Sequence, residues 1–137
     1  MSLDSIMGIA SSGLDAQSQR ITLIAQNLAN ANSVDSPDGG PYQRRIAVFE
    51  PAPIDDSAPG SGTGVKLAAV VRDQTPAQQV FDPSNPFADE NGMVKEPNVN
   101  PIYEMVDLMQ ASRSYQANLS VAQTANSAAL RTIDLLK

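Results

Sequence analysis

The amino-acid sequence predicts a mainly α protein whose long N- and C-terminal helices pack as an antiparallel, coiled-coil-like pair, with a central irregular segment that contains a small β-hairpin. All ten prolines and six of the eight glycines lie between Pro37 and Pro101, so residues that break helices are confined to the middle. Both flanking segments repeat apolar and small residues with heptad spacing. Aromatic residues make up 4% of the chain and tryptophan is absent, which disfavours a wide globular core.

These changes in composition predict three segments in a chain of 137 residues, which is long enough for one compact domain. Residues 1–33 form an N-terminal axial helix and residues 101–137 a C-terminal axial helix. Residues 34–100 form a Pro/Gly-rich middle segment with short β-strands. The middle also carries most of the net charge of −6, because ten of the fifteen acids and five of the nine bases lie there.

The N-terminal segment carries two stripes of helical spacing. The first comprises Leu3, Met7, Ala10, Leu14, Gln17, Ile21, Ile24, Leu28 and Ala31, and the second comprises Ile6, Ile9, Gly13, Ala16, Arg20 and Leu23. Each glycine weakens a helix by about 1 kcal/mol relative to alanine, so we expect a break or a late-ordering region near Gly8–Gly13 and the firmest helix from Leu14 to Asn30. The Asp35-Ser36-Pro37 run predicts the end of the segment.

The middle segment contains two main strand candidates. The first surrounds Ile46 and Val48, and the second runs from Val65 to Arg72. We expect these two to pair as a long-looped hairpin, with a short third strand, Gln79 to Phe81, beside them. The region from Asp82 to Glu96 is rich in turn signals and is predicted as a loop.

The C-terminal segment, Ile102 to Lys137, contains neither proline nor glycine and would span about 54 Å as one helix. Asn100 is placed to cap this helix, and Pro101 suits its first turn. One stripe comprises Ile102, Met105, Met109, Ser112, Gln116, Leu119, Gln123, Asn126, Leu130 and Ile133. A second comprises Leu108, Ala111, Tyr115, Asn118, Ala122, Ala125, Ala129, Thr132 and Leu136. Two stripes indicate two sets of neighbours, the alternative being one long helix on the outside of a small bundle.

The stripes supply the candidate functional residues, which we expect to form an assembly interface partly against other chains. They are Leu14, Ile21, Ile24, Asn27, Leu28, Met105, Met109, Tyr115, Leu119, Ala122, Leu130 and Ile133.

The residues available for chemistry are few. Histidine and cysteine are absent, which excludes thiol catalysis, His-dependent triads and thiolate or imidazole metal sites. The adjacent acids Asp55-Asp56 and Asp89-Glu90 lie among loop residues and are typical of solvated charges. We therefore expect no enzyme activity, cofactor or metal.

Charge and hydropathy also limit the partners. The net charge of −6 disfavours nucleic acid, and we expect Arg44-Arg45 to contact an acidic neighbouring subunit or to be solvated. No stretch is apolar enough for membrane insertion. Asp4 stands where a secretory signal has basic residues, so no cleaved signal peptide is expected.

Several motifs resemble those of the bacterial flagellar axial proteins of the rod and hook. The N-terminal ones are Gly13-Leu14-Asp15-Ala16-Gln17 and the run from Ile24 to Asn32, IAQNLANAN. The run Gly39 to Arg45, GGPYQRR, is similar to the continuation found in proximal rod proteins of the basal body. So are Pro97 to Asn100 (PNVN), Glu104-Met105-Val106 and Ala111 to Asn118 (ASRSYQAN). The chain departs from the family pattern at Ser33, where threonine is usual, and at Asn126, where lysine is more common.

The resemblance implies a structural subunit of the proximal rod, which assembles helically through its terminal helices and transmits torque across the periplasm. It implies that the terminal helices form the inner rod core, with the middle segment outside. It also implies type III export without signal cleavage. The implied partners are other rod proteins, copies of the same chain and the rod-base adaptor of the export gate. A soluble helical adaptor or export chaperone remains the alternative.

Overall fold

The computed structural model describes residues 3–36, 39–55 and 62–134. In chain order its elements are α1 (Leu3–Ala29), β1 (Arg45–Pro53), β2 (Thr63–Arg72), β3 (Gln78–Phe81), β4 (Met93–Glu96) and α2 (Pro101–Asp134). The two long helices predicted from the sequence are confirmed. They hold about half of the described residues, and the middle contains two small sheets, so the β contribution is larger than the single hairpin expected.

The two helices pack antiparallel, as predicted. Asn27 of α1 hydrogen-bonds Glu104 of α2, Gly13 lies against Asn118, and Leu3 shares a groove with Ala128. We call the end of the pair that holds Ala29 and Pro101 the clasp end, and the opposite end the tail end. With 27 residues against 34, α1 is about 10 Å shorter than α2, and the last turns of α2 extend past it.

The predicted break near Gly8–Gly13 is wrong, because α1 runs continuously through both glycines. The reason is close packing. A Cβ atom at Gly8 would lie 2.5 Å from Ile54 Cγ2, and one at Gly13 would lie 2.6 Å from Asn118 Nδ2. Glycine therefore allows the hairpin and α2 to approach α1, and these contacts offset its low helix propensity.

The predicted long-looped hairpin is confirmed. β1 and β2 pair antiparallel from Arg45↔Arg72 to Pro53↔Thr63, with an irregularity between Val48 and Phe49. The hairpin packs on α1, where the Val65 amide donates to Ser12 Oγ at 3.2 Å. Residues 56–61, between the two strands, lie outside the described residues.

The expectation that the third strand lies beside this hairpin is wrong. β3 instead pairs antiparallel with β4, from Gln78↔Glu96 to Phe81↔Met93, in a second sheet. β4 falls in the region predicted as a loop. The turn residues there connect two strands: Asp89 Oδ1 accepts the Asn91 and Met93 amides at 2.8 and 2.9 Å, and Gly92 has φ +73°. This turn therefore brings β4 back alongside β3.

The predicted start of α2 is confirmed. Pro101 is its first residue, and Asn100 Oδ1 accepts the Ile102 amide at 3.0 Å, which satisfies one of the free donors of the first turn. Leu136 and Pro37, which the sequence places at helix ends, lie outside the described residues.

Candidate assembly interface and the polar clasp

Three segments that are distant in sequence meet through polar side chains at the clasp end. We call Asn27, Tyr42, Arg44, Asn98 and Glu104 the polar clasp. Asn27 comes from α1, Glu104 from the first turn of α2, and the others from the connections between elements. Asn27 and Glu104 are each only 1% exposed, so both have been withdrawn from water. Burial of such polar groups is tolerated only where hydrogen bonds within the protein replace those lost to water.

Asn27 uses its full hydrogen-bonding capacity. Its Nδ2 donates to the Arg45 carbonyl at 2.9 Å and to Glu104 Oε2 at 3.1 Å. Its Oδ1 accepts the Arg45 amide at 2.9 Å and the Tyr42 hydroxyl at 3.0 Å. The side-chain amide therefore pairs with the Arg45 backbone as a neighbouring strand would, and it fixes the start of β1 on α1.

Glu104 is held by a cation and an amide. Arg44 Nε donates to its Oε1 at 2.5 Å, while Oε2 accepts from Asn27. The same guanidinium lies 3.2 Å from Asp107 Oδ2 and 3.7 Å from Asp73 Oδ2. Burial alone would lower the pKa of Arg44, but the hydrogen bond and charge of Glu104, with Asp107 and Asp73, raise it. Arg44 therefore stays charged and compensates the buried carboxylate.

Asn98 and Tyr42 extend the clasp to the hairpin. The Arg44 amide donates to Asn98 Oδ1 at 2.7 Å, and Asn98 Nδ2 donates to the carbonyls of Asp73 and Thr75 at 3.0 and 2.9 Å. Burial raises the pKa of Tyr42. The positive charge of Arg45 opposes this rise and the negative charge of Glu104 adds to it. The Tyr42 hydroxyl donates into the clasp. The clasp thus joins both helices to the base of the hairpin, where β1 begins and β2 ends.

The outer surface of α2 has a different character. Among the described helices and strands, α2 packs against α1 alone. The stripe that contains Ala111 and Ala125 faces α1, and these residues are 0% and 7% exposed. The stripe that contains Met105, Met109, Leu130 and Ile133 faces away, and each of these side chains is more than half exposed. Large apolar side chains therefore lie along a helix with no second neighbour.

Comparison with known proteins identifies the family. Residues 90–135 match the family model "Flagellar basal body rod FlgEFG protein C-terminal". The chain is 51% identical over 136 residues to the flagellar basal-body rod protein FlgC of Salmonella typhimurium strain LT2, and 50% identical to that of Escherichia coli O6:H1, covering 98% of each chain. It is 39% identical over 141 residues to FlgC of Borreliella burgdorferi, covering 93% of each. The chain belongs to the FlgC family of flagellar basal-body rod proteins.

As a member of the FlgC family, the chain is a structural subunit of the proximal rod, and the resemblance seen in the sequence is confirmed. The adaptor or chaperone alternative has no support among these relatives. The family motifs also gain a structural explanation. Asn27, Arg44 and Glu104 belong to three of the motifs, and the structure brings them together in the clasp.

The structure divides the candidate interface residues by burial. Ile24 and Asn27 are buried within the chain. Half-buried positions are Leu14, Ile21, Leu28, Tyr115 and Ala122, and exposed positions are Met105, Met109, Leu119, Leu130 and Ile133. The exposed group is therefore the part of the predicted set whose surface is still available to another chain.

Sequence reasoning missed part of this surface. Ile102, Tyr103 and Val106 are 71%, 70% and 56% exposed, and with Met105 and Met109 they form what we call the head patch, at the clasp end of α2. Ile102 was in the outward stripe, whereas Tyr103 and Val106 are in neither heptad stripe. Their spacing within three turns was the available signal, since i, i+3 and i+4 neighbours share a helical surface.

The expectation for Arg44 is wrong. Instead of meeting a neighbouring subunit or solvent, its guanidinium pairs with Glu104, Asp107 and Asp73 of its own chain. Arg45 remains exposed, with its guanidinium 5.9 Å from the Tyr42 ring centroid.

Two concave surfaces complete the candidate site. A polar cleft of about 720 Å³ lies at the clasp end, between the end of α1 and the base of the hairpin, and its lining includes Arg45 and Arg72. An apolar groove of about 430 Å³, which we call the tail groove, lies between the helices at the tail end. It is lined by Leu3, Ile6, Ser120, Val121, Thr124, Ala125 and Ala128.

Two kinds of site were sought in the part of the chain that the structure describes. That part contains no group of three or more carboxylates placed to hold a metal ion. Neither α1 nor α2, over its described residues, combines the length and hydropathy required of a membrane span.

Proposed function

We propose that the chain assembles helically, with other rod proteins and with copies of itself, through the outward surface of α2. The observation that carries this proposal is the row of large apolar side chains on a helix that packs against α1 alone. Burying one Leu, Ile or Met side chain contributes about 1.5–3 kcal/mol. Clusters of exposed large apolar side chains are typical of a protein interface.

We also propose that residues 1–33 and 101–137 form the inner rod core and residues 34–100 the outer part. The hairpin supports this division because it packs on α1 and leaves the outward surface of α2 uncovered. The clasp fixes the hairpin to both helices through Asn27, Arg44 and Glu104. Torque applied to the inner helices would therefore be transmitted directly to the outer segment.

We also propose export without cleavage of a signal peptide, which keeps α1 in place. Loss of Leu3–Ala29 would remove the helix on which the hairpin and α2 pack. Ser5, Ala10 and Ala16, which are buried, would be lost with it. We therefore propose that the subunit reaches the periplasmic rod with α1 intact, and that its partners include the rod-base adaptor of the export gate. The intact mass of the protein from purified basal bodies tests this, since loss of α1 would contradict it.

We infer that the chain performs no catalysis. Its relatives are named as rod proteins, and the sequence has neither histidine nor cysteine. Of the two candidate acid pairs, Asp89 has its carboxylate engaged by the turn before β4. Asp55 is exposed, and Asp56 lies outside the described residues.

Substitution of Met109 tests the assembly surface. Met109→Asp would place an unpaired charge in the proposed contact, at a cost of several kcal/mol for the assembled state, while Met109 is 58% exposed in the isolated chain. We expect cells that carry only this variant to lose motility and basal-body rods, with the purified protein still folded. Gln79→Asp, at an exposed position of β3, which does not pack on α2, is the control and should swim. Normal swimming by Met109→Asp would contradict the proposal.

A further inference from the structure

The main hairpin crosses α1, so that a different strand faces the helix at each end of the hairpin. At the base, the side chain of Asn27 bonds both the amide and the carbonyl of Arg45, which places the outer edge of β1 against α1. At the tip, the Val65 amide donates to Ser12 Oγ, which places the outer edge of β2 there instead. The outer edge of β2 at the base therefore faces away from α1. We call residues 69–72, which form it, the open edge.

The backbone groups of the open edge alternate in direction. In an antiparallel pair, opposite residues direct their amides and carbonyls either toward each other or away, in turn along the strands. The Asp73 amide donates to the Arg44 carbonyl at 2.8 Å, so that pair points inward. The next pair, Arg45 and Arg72, points outward, as the bonds of Arg45 to α1 show. Two residues further along, Val70 also directs its amide and carbonyl away from β1.

Both faces of the open edge are exposed. All four of its side chains are exposed, with Val70 at 45% and Val71 at 42%. Successive side chains of a strand point to opposite faces, so the chain covers neither face of this edge. Among the described strands, β2 pairs with β1 alone. The Val70 amide and carbonyl therefore lie at a strand edge between two uncovered faces.

The other outer edge that faces away from α1 is protected against strand addition, and the open edge is not. At the tip, this outer edge of β1 carries Pro51 and Pro53, which have no amide proton to donate. Proline and charged residues are the usual means by which proteins block exposed strand edges. Residues 69–71 are Ala, Val and Val, so this part of the open edge has neither. An unblocked apolar edge of this kind is a template for a further strand.

We propose that the open edge of β2 binds an extended segment of another protein, which adds to the hairpin as a third strand. Recognition of this kind uses main-chain hydrogen bonds for affinity and alternate side chains for specificity. Because Val70 and Val71 lie on the two faces, the added segment has small or apolar side chains at successive positions and contains no proline. The contact is additional to assembly through α2, because β2 does not pack on α2 among the described elements.

A second copy of this chain has one described strand that matches. β1 is held against α1 at its base, and β3 and β4 each carry polar residues in two of their four positions (Gln78 and Gln79, Lys95 and Glu96). The matching strand is β2 itself, and two open edges that pair with each other form a two-fold contact that closes. A helical stack is built from contacts that do not close, so the added segment belongs to a different protein. This choice of partner rests on the proposed function.

Amide hydrogen exchange at single-residue resolution tests the inference on the natural chain. Val71 points at Ile46 of β1, so its amide is the matched control for the Val70 amide. In the free chain, we expect Val70 to exchange rapidly and Val71 slowly, because only the Val71 amide is in the ladder. In isolated rods, the Val70 amide should slow to about the rate of Val71. A Val70 rate in rods equal to that of the free chain would overturn the inference.

Proline substitutions separate the open edge from the ladder. Val70→Pro removes the outward donor without removing a bond to β1, so its urea midpoint should stay near that of the natural chain. Val71→Pro removes a ladder donor and should lower the midpoint. Cells that make only Val70→Pro should lose swimming, and normal swimming with this variant present in rods would overturn the inference. If Val70→Pro does not fold, the exchange rates of the natural chain decide.

The oligomeric state of the purified chain tests the choice of partner. We expect a monomer by sedimentation in dilute solution. A dimer of the natural chain that Val70→Pro abolishes would overturn this choice, since the second copy would then fill the open edge. Failure of the proposed function is recognised separately, by normal swimming of Met109→Asp. Rods in which the Val70 amide exchanges rapidly refute only the added strand and leave assembly through α2 standing.

Discussion

The two ends of the helix pair hold together in different ways. At the clasp end, Asn27 and Glu104 are buried and every hydrogen-bonding group of Asn27 is paired. At the tail end, small residues such as Ala125 make the helix contact, while Leu130 and Ile133 remain exposed. Buried polar networks specify one arrangement, whereas apolar surfaces accept a partner without directional constraints. The chain therefore fixes its fold through directional contacts at the clasp end, whereas apolar contacts between small side chains hold the tail end.

The largest expected effect is on stability at the clasp. Glu104→Ala would leave Arg44 and the Asn27 amide without their shared acceptor, and breaking a buried ion pair costs about 3–5 kcal/mol. Urea unfolding followed by circular dichroism would measure the loss. The control is Glu50→Ala, because Glu50 is exposed and pairs with exposed Lys66, a surface pair that contributes about 0–1 kcal/mol. Equal losses in the two variants would contradict the role of the clasp.

Close packing at Gly8 predicts a smaller effect. Alanine favours a helix by about 1 kcal/mol over glycine, but its Cβ would lie 2.5 Å from Ile54 Cγ2, and overpacking costs about 1–3 kcal/mol. We expect Gly8→Ala to be destabilising by itself. In an Ile54→Ala background, where Cγ2 is absent, the same substitution should become stabilising. A double-mutant cycle measures this change of sign, and its absence would mean that Ile54 does not limit α1.

The smallest effect concerns the Tyr42 hydroxyl. Tyr42→Phe removes the hydrogen bond to Asn27 Oδ1, for an expected loss of about 1 kcal/mol. The pKa of Tyr42 is raised in the folded state. The hydroxyl therefore contributes fully to the free energy of unfolding below its pKa in the unfolded chain, about 10, and this contribution disappears as the pH rises through its pKa in the folded chain. The stability difference between the natural chain and Tyr42→Phe should therefore narrow at alkaline pH. A constant difference would contradict this assignment.

The sequence predicted the helices and the main hairpin, because their patterns are local. It also predicted two stripes on α2 but could not tell which one faces α1. Hydrophobicity favours burial of Met105 and Met109, yet the structure buries Ala111 and Ala125. Small side chains let two helices approach closely. The preference for small residues at the contact therefore appears only when the partner helix is in place.

The clasp illustrates what a linear pattern cannot supply. Asn27 and Glu104 are 77 residues apart, and each has an ordinary local interpretation, as a helix-end amide and as an acid in a first turn. Their contact depends on the antiparallel register of α1 and α2. β4 was missed for a similar reason, since four residues among turn signals become a strand only through pairing with β3.

Amide hydrogen exchange along α2 in the free monomer tests the difference between the two ends most directly. Opening of a helix costs least where tertiary contacts are fewest. We predict the greatest protection from about Asp107 to Asn118, beside the clasp, and a steady decline to rapid exchange from Ala129 to Asp134, where α2 extends past α1. Uniform protection along α2, or greater protection at the tail end, would contradict the account.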